Sequence, residues 1–228
     1  MAAPANKNIG DLNGTWVLNE TAQLTRNPTP TPQNKTLSDP TDAALALQGV
    51  GWMLRTALGL ATITLGVKQY TGPPKPPSTS AEPATHVDIE QTVTGGIKGN
   101  TELRCLDWEA RAHSDYLFGT VRGQSRWLPG GDELARVVAE VEPAGVAYLK
   151  GGADQGEWLE GEGERGGPGG EPHILSFARN VDEGRGWTAT QVWGFQNVGG
   201  ERRYVRLVVV AKDEERVNMK MVYDYIPE

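Results

Sequence analysis

The chain has 228 residues, a formal net charge of −7, 38% hydrophobic positions and one cysteine, Cys105. Its 29 Gly and 15 Pro, together roughly a fifth of the residues, exclude a bundle of long helices, and no three-residue glycine period marks it as collagen. One cysteine cannot close an internal disulfide, and the acidic balance argues against a nucleic-acid backbone as the partner.

A chain of this length buries a sizeable core. The reading is a single domain over 1–228, with insertions near 20–36, 70–85 and 151–171. Met1–Gly10 is polar and no run reaches the roughly 18 apolar residues of a membrane span. Neither a signal peptide nor an integral membrane segment is expected, and the expected compartment is the cytoplasm. The charge is local: Gly151–Glu171 holds Asp154, Glu157, Glu160, Glu162, Glu164 and Glu171 against Arg165. It reads as a solvated insertion, with contact to a basic partner as the alternative.

In chain order, Leu12–Leu18 alternates Leu12, Gly14, Trp16 and Leu18 on one side of a strand. Glu20–Asn34 is a Thr/Pro/Asn-rich loop. Ser38 or Asp39 can cap a helix from Pro40, and Ala44, Leu47, Val50 and Leu54 recur at helical spacing, interrupted by Gly49 and Gly51. That pattern predicts two short helices joined by a turn, the second starting at Trp52. Thr62–Val67 alternates as a strand, and prolines 73, 74, 76 and 77 break the chain before Thr85. Short alternating runs follow: 87–93, 102–108, 116–122, 134–141, 146–150, 174–179, 187–195, 202–212 and 216–226. Gly95-Gly96, Pro129–Asp132 and Val198–Gly200 supply turns between them. Ten to twelve strands at this spacing predict a sandwich or an up-and-down barrel. Arg202–Lys212 is apolar on one face, at Val205, Leu207 and Val209, and mixed on the other, at Tyr204, Arg206, Val208 and Val210, which a hollow barrel accommodates better than a packed sandwich.

Leu12-Asn-Gly-Thr-Trp16, the Gly49-Val-Gly51 turn followed by Arg55, and three long closing strands resemble the intracellular fatty-acid-binding branch of the calycin superfamily, which is lipocalin-like. The resemblance implies a mainly β fold: an antiparallel up-and-down barrel of about ten strands with a short helix pair closing the mouth. It implies binding of a hydrophobic small molecule, a lipid, terpenoid or polyketide-like compound, by a carrier or sequestering protein. A second resemblance, to larger fungal calycin-like proteins, implies the alternative of a cofactor-free cyclase or isomerase of pericyclase type in secondary metabolism. In the fatty-acid binders an Arg-x-Tyr pair on the last strand holds the ligand carboxylate. Here Met221-Val-Tyr223 keeps the tyrosine and replaces the arginine, and Arg206 on the preceding strand can substitute if it faces inward.

The expected ligand-binding residues are Trp52, Arg55, Trp108, Gln191, Trp193, Arg206, Met219, Met221 and Tyr223. Met219, Met221 and Tyr223 share one face and form an adaptable apolar wall with one hydroxyl. Trp16, Trp108, Trp127, Trp187 and Trp193 line a cavity or fill ordinary core. The catalytic candidates are Tyr223 and the pair His113 and Asp115, which reads as an acid/base couple or as an exposed turn. His86, His113 and His173 lack paired metal-ligand spacing, so no metal is expected. No nucleotide fingerprint occurs and no cofactor is expected. Cys105 reads as a buried structural thiol.

Overall fold

The computed structural model describes residues 1–19, 37–94 and 97–227. The insertion expected near 20–36 and the Gly95-Gly96 turn lie outside the described residues. Among the described residues, ten strands form one antiparallel sheet: β1 (Gly14–Leu18), β2 (Ile63–Gly72), β3 (Ala84–Val93), β4 (Ile97–Cys105), β5 (Arg111–Asp115), β6 (Gly119–Leu128), β7 (His173–Asn180), β8 (Thr188–Val198), β9 (Glu201–Lys212) and β10 (Glu215–Ile226). Their order is β4-β3-β2-β1-β10-β9-β8-β7-β6-β5. The first strand thus pairs with the last, and the sheet rolls into a nearly closed barrel whose seam lies between β4 and β5. The seam is spanned by a side-chain bond, from Asn100 Nδ2 to Asp115 Oδ2 at 3.1 Å.

β1 sits where the alternation puts it, between β2 and β10, with Trp16 opposite Leu65 and Tyr225. Trp16 is fully buried, donates its indole N–H to Leu12 O, and packs against Phe195, Tyr204 and Tyr225. It is core. Gly14 has φ 124° and lies under the Tyr225 ring, which a Cβ would meet at 2.9 Å, so this entry into β1 requires glycine. The two helices before β2 are α1 (Asp42–Leu47) and α2 (Trp52–Gly59); Gly49, at φ 81°, makes the turn between them.

Residues 134–141 and 146–150 are not strands. They form α3 (Gly131–Ala139) and α4 (Val146–Leu149). Leu134, Val137 and Val138 stand at i, i+3 and i+4, and all three are buried against the outer face of the barrel. Pro129–Asp132 accordingly opens a helix instead of a hairpin. The same packing corrects the explanation of β9. Tyr204, Arg206, Val208 and Val210 face inward, whereas Val205, Leu207 and Val209 meet α3 and α4 on the outside. Its apolar face and its mixed face reflect two packed layers.

The acidic segment is also more than a solvated loop. Trp158 Nε1 donates to Leu149 O, Leu159 N donates to Phe195 O, and Lys220 Nζ donates to Gln155 O. Glu164 accepts Arg202 Nε and Nη2 at 2.6 Å each, while Arg202 also donates to the Pro4 and Lys7 carbonyls. This network latches the N-terminal segment and the acidic segment to β9. The proline excursion between β2 and β3 is strapped in a similar way: Arg111, at the start of β5, donates to Lys75 O and Pro76 O and pairs with Asp107.

Candidate functional site

The inner faces of the strands enclose a cavity of about 650 Å³ beneath α1 and α2. Its apolar wall comes from Leu65 on β2, Val121 on β6, Trp187 just before β8, Ala189 on β8, Val208 and Val210 on β9, and Met219 and Met221 on β10. Leu45 and Leu58 reach it from the two helices. A volume of this order suits a drug-sized or larger apolar molecule.

One side of the cavity is charged. Arg206 stands opposite Trp193 in the β8–β9 register and opposite Met221 in the β9–β10 register. Its side chain is buried, its guanidinium lies 4.0 Å from the centre of the Trp193 ring, and Nε donates to Tyr204 Oη at 2.9 Å. Nη1 is 3.6 Å from Glu102 Oε2. Among the described residues, buried Nη2 has no hydrogen-bond partner. Glu102, on β4 across the barrel, accepts from Gln91 Nε2 at 2.7 Å and from Arg104 Nη2 at 3.2 Å. Tyr204 and Tyr223 stack at 5.1 Å.

These contacts set the charge states. Burial would raise the Glu102 carboxyl, but the Arg206 and Arg104 guanidiniums, with hydrogen bonds from Arg104 and Gln91, outweigh it and hold the group below the usual carboxylate range. Burial pushes the Tyr204 phenol up to about 12 against the pull of Arg206. Burial also works against the Arg206 charge, yet the oxygens of Tyr204, Tyr223 and Glu102 keep it firmly protonated. The cavity therefore pairs apolar walls with a fixed guanidinium, an ionised carboxylate and the neutral Tyr204 phenol.

Of the residues expected at the ligand, Gln191, Arg206, Met219, Met221 and Tyr223 line the cavity. Trp193 lies behind Arg206 and donates to Gln191 Oε1 at 2.8 Å. Three others stand elsewhere. Trp52 is 69% exposed on α2, because its helix turns that face to solvent. Arg55 reaches sideways to Asp42, 3.4 Å away. Trp108, in a left-handed turn at φ 61°, packs under Arg126 at the outer apolar cluster. His113 and Asp115 line the cavity at the β4–β5 seam, 3.7 Å apart. Asp115 already accepts the Leu117 and Phe118 amides and Asn100. Trp187 is on the wall, and Trp127 faces a smaller pocket beside Leu106.

Sequence reasoning missed Gln91, Glu102 and Arg104. The alternation of Asn100, Glu102 and Arg104 along β4 puts them on one face, but β4 was expected to start at Glu102, so the polar stripe did not stand out.

No family model matches the chain. Two curated relatives align over nearly its whole length. "Probable pericyclase scpY" of Mollisia scopiformis is 27% identical over 225 residues, 99% of this chain and 95% of the relative. "Pericyclase pydY" of Acremonium sp is 22% identical over 226 residues, 99% of this chain and 97% of the relative. Among solved structures, the chain is similar to the REP1-NXSQ fatty acid transporter at TM-score 0.45 and 11% identity, covering 96% and 98% of the two chains. It is similar to fatty-acid-binding protein 1 of Echinococcus granulosus at TM-score 0.45 and 10% identity, covering 95% and 98%.

Proposed function

We propose that the chain binds a hydrophobic small molecule in the barrel cavity and promotes a pericyclic ring closure on it. The observation that carries this reading is the cavity itself: apolar walls wide enough to fold a flexible chain, with one buried guanidinium whose Nη2 lies without a partner among the described residues. The naming of two near-full-length relatives as pericyclases supports the reaction class.

A pericyclic step needs no nucleophile and no external electron source. It needs a folded substrate whose reacting ends are held close, and polarisation of an acceptor group conjugated to one of them. Walls such as Trp187, Val208 and Met219 restrict the chain to few conformers and supply orientation. The Arg206 guanidinium, held by Tyr204 and Trp193, donates to a substrate carbonyl or oxyanion and withdraws electron density from the adjoining π system. Tyr204, whose phenol burial pushes up well above the neutral range, fixes the orientation of Arg206.

A second reading is a reversible carrier for the same class of molecule. It is favoured by the helix pair α1–α2 over the mouth, which provides a route in and out without chemistry. Either reading extends to secondary metabolism, and to the cytoplasm as the site of action. The deciding experiment incubates purified protein with linear conjugated polyenes that end in an activated carbonyl, followed by chromatography and mass spectrometry. A cyclised isomer of unchanged mass, formed over many turnovers, is the expected result. Release of every polyene unchanged, despite saturable binding, overturns the catalytic reading in favour of the carrier.

A further inference from the structure

The charges around the cavity do not all cancel. Lys75 lies 3.8 Å from Asp88 and Arg111 is bonded to Asp107, and Glu109 is exposed at the rim. Deeper in, one carboxylate, Glu102, faces two guanidiniums: Arg104 at 3.2 Å and Arg206 at 3.6 Å. Both arginines keep a buried nitrogen with no hydrogen-bond partner among the described residues, Nε of Arg104 and Nη2 of Arg206. A buried guanidinium with an orphaned donor is costly unless something accepts from it. At the β4–β5 seam Asp115 also lines the cavity, but it is taken up by Asn100 and the Leu117 and Phe118 amides and lies 3.7 Å from His113. The array Arg104–Glu102–Arg206 thus carries one positive charge in excess and unused donors, facing the apolar wall of the cavity.

We propose that Glu102 is the specificity-determining residue of this cavity. By cancelling one of the two guanidinium charges, it leaves a single buried positive charge, matched to one oxygen anion on an otherwise apolar ligand. This rests on the reading that the cavity holds the ligand, and it narrows the ligand class to amphipathic monoanions such as carboxylates or the enolates of acidic carbonyl compounds. The same carboxylate also sets geometry. Gln91 and Arg104 hold it on β4, so it draws the Arg206 guanidinium across the barrel while Trp193 supports its face. Glu102 does this as an anion throughout the neutral range, because its neighbours hold its carboxyl low.

The test uses two fluorescent probes with one aromatic skeleton: neutral N-phenyl-1-naphthylamine and its sulfonated analogue 8-anilinonaphthalene-1-sulfonate. Both are titrated into the wild-type protein, Glu102→Gln, Arg206→Met and Arg206→Lys. The wild type is expected to bind the anion about tenfold more tightly than the neutral probe. Glu102→Gln, which leaves two uncancelled cations, should tighten the anion further, by about threefold or more, with the neutral probe little changed. Arg206→Met should abolish the preference, and Arg206→Lys should retain part of it. Equal affinities in the wild type overturn the proposal, as does a Glu102→Gln variant that loses both probes alike or leaves the preference unmoved. If the neutral probe binds without any anion preference, the cavity reading survives and the Glu102 assignment falls. If neither probe binds, both fall.

Discussion

Arg206 on β9 faces Met221 on β10 across the strand pair. Tyr223 stands two residues beyond Met221, and Tyr204 lies opposite that tyrosine. The Arg206 expected to substitute for the missing arginine does face inward, where its guanidinium lies against Trp193 and within reach of Glu102.

If the position of the cation is interchangeable between these two strands, a swap should be tolerated. Arg206→Met alone is expected to weaken 8-anilinonaphthalene-1-sulfonate binding by about tenfold, and adding Met221→Arg should recover part of the loss. Fluorescence titration of the single and double variants measures this. No recovery would mean that the Trp193 and Tyr204 contacts, more than the charge, make the subsite.

Glu102 also carries a stability prediction. Glu102→Gln leaves the buried Arg206 guanidinium and the part-buried Arg104 without their shared counter-charge and should cost about 3 kcal/mol. Arg206→Met should cost less, since Arg104 still pairs with the carboxylate at 3.2 Å. The double variant should recover part of the Glu102→Gln loss, with a coupling of about 1 kcal/mol or more. Urea denaturation of the four proteins closes the cycle, and simple additivity would show that Glu102 and Arg206 do not act as a unit.

The pH dependence follows from the same group. The folded-state pKa of Glu102 lies below its ordinary value of 4.5, so the unfolded chain binds its proton first as acid is added. The stabilisation is complete above that ordinary value and is lost as pH falls through the depressed one, at up to about 1.4 kcal/mol per pH unit for one proton. Denaturation midpoints measured between pH 6 and 3 should fall more steeply for the wild type than for Glu102→Gln. Parallel curves would contradict the charge assignment.

On the outer face, Leu134 of α3 is 1% exposed in the cluster with Val192, Val205, Leu207 and Val209. Leu134→Ala should cost about 2–5 kcal/mol through the cavity it leaves. Because this layer lies behind the barrel wall, probe affinity at temperatures where the variant is folded should stay within about twofold. A large affinity change with little loss of stability would instead assign α3 to the binding site.

Cys105, at the end of β4, is 4% exposed and lies beside Asp107 and the Lys75 backbone. Burial and the hydrogen bond with Asp107 push its thiol above the usual range. Its reaction with a disulfide reagent at pH 7 should be slower than that of a free thiol by about a hundredfold or more, and should reach the free rate in denaturant. Fast labelling of the native protein would show that the β4–β5 seam opens readily.

Much of the barrel is legible in the sequence because strand alternation and turn residues are local signals. Leu12–Leu18, 187–195, 202–212 and 216–226 fold as their period implies. Residues 134–141 were misread for a physical reason: an apolar run this short fits both a strand and a helix. Only the packing of Leu134, Val137 and Val138 onto the barrel separates the two. The candidate site was legible where it lies on the closing strands, at Arg206, Met221 and Tyr223. Glu102 and Gln91 meet Arg206 only through the closure of the sheet, a long-range relation with no local signature. Trp52 and Arg55 follow helical spacing correctly, but spacing does not say which side of a lid helix faces the mouth.

The most direct test is a crystal structure of the protein with N-phenyl-1-naphthylamine bound, because binding and catalysis both require an apolar ligand inside the barrel. The expected result places the naphthalene ring inside the barrel, against Val208, Met219 and Met221, within van der Waals contact of the Arg206 guanidinium. A probe seated instead on the exposed face of α2, at Trp52 and Met53, with the interior unoccupied, would contradict the account.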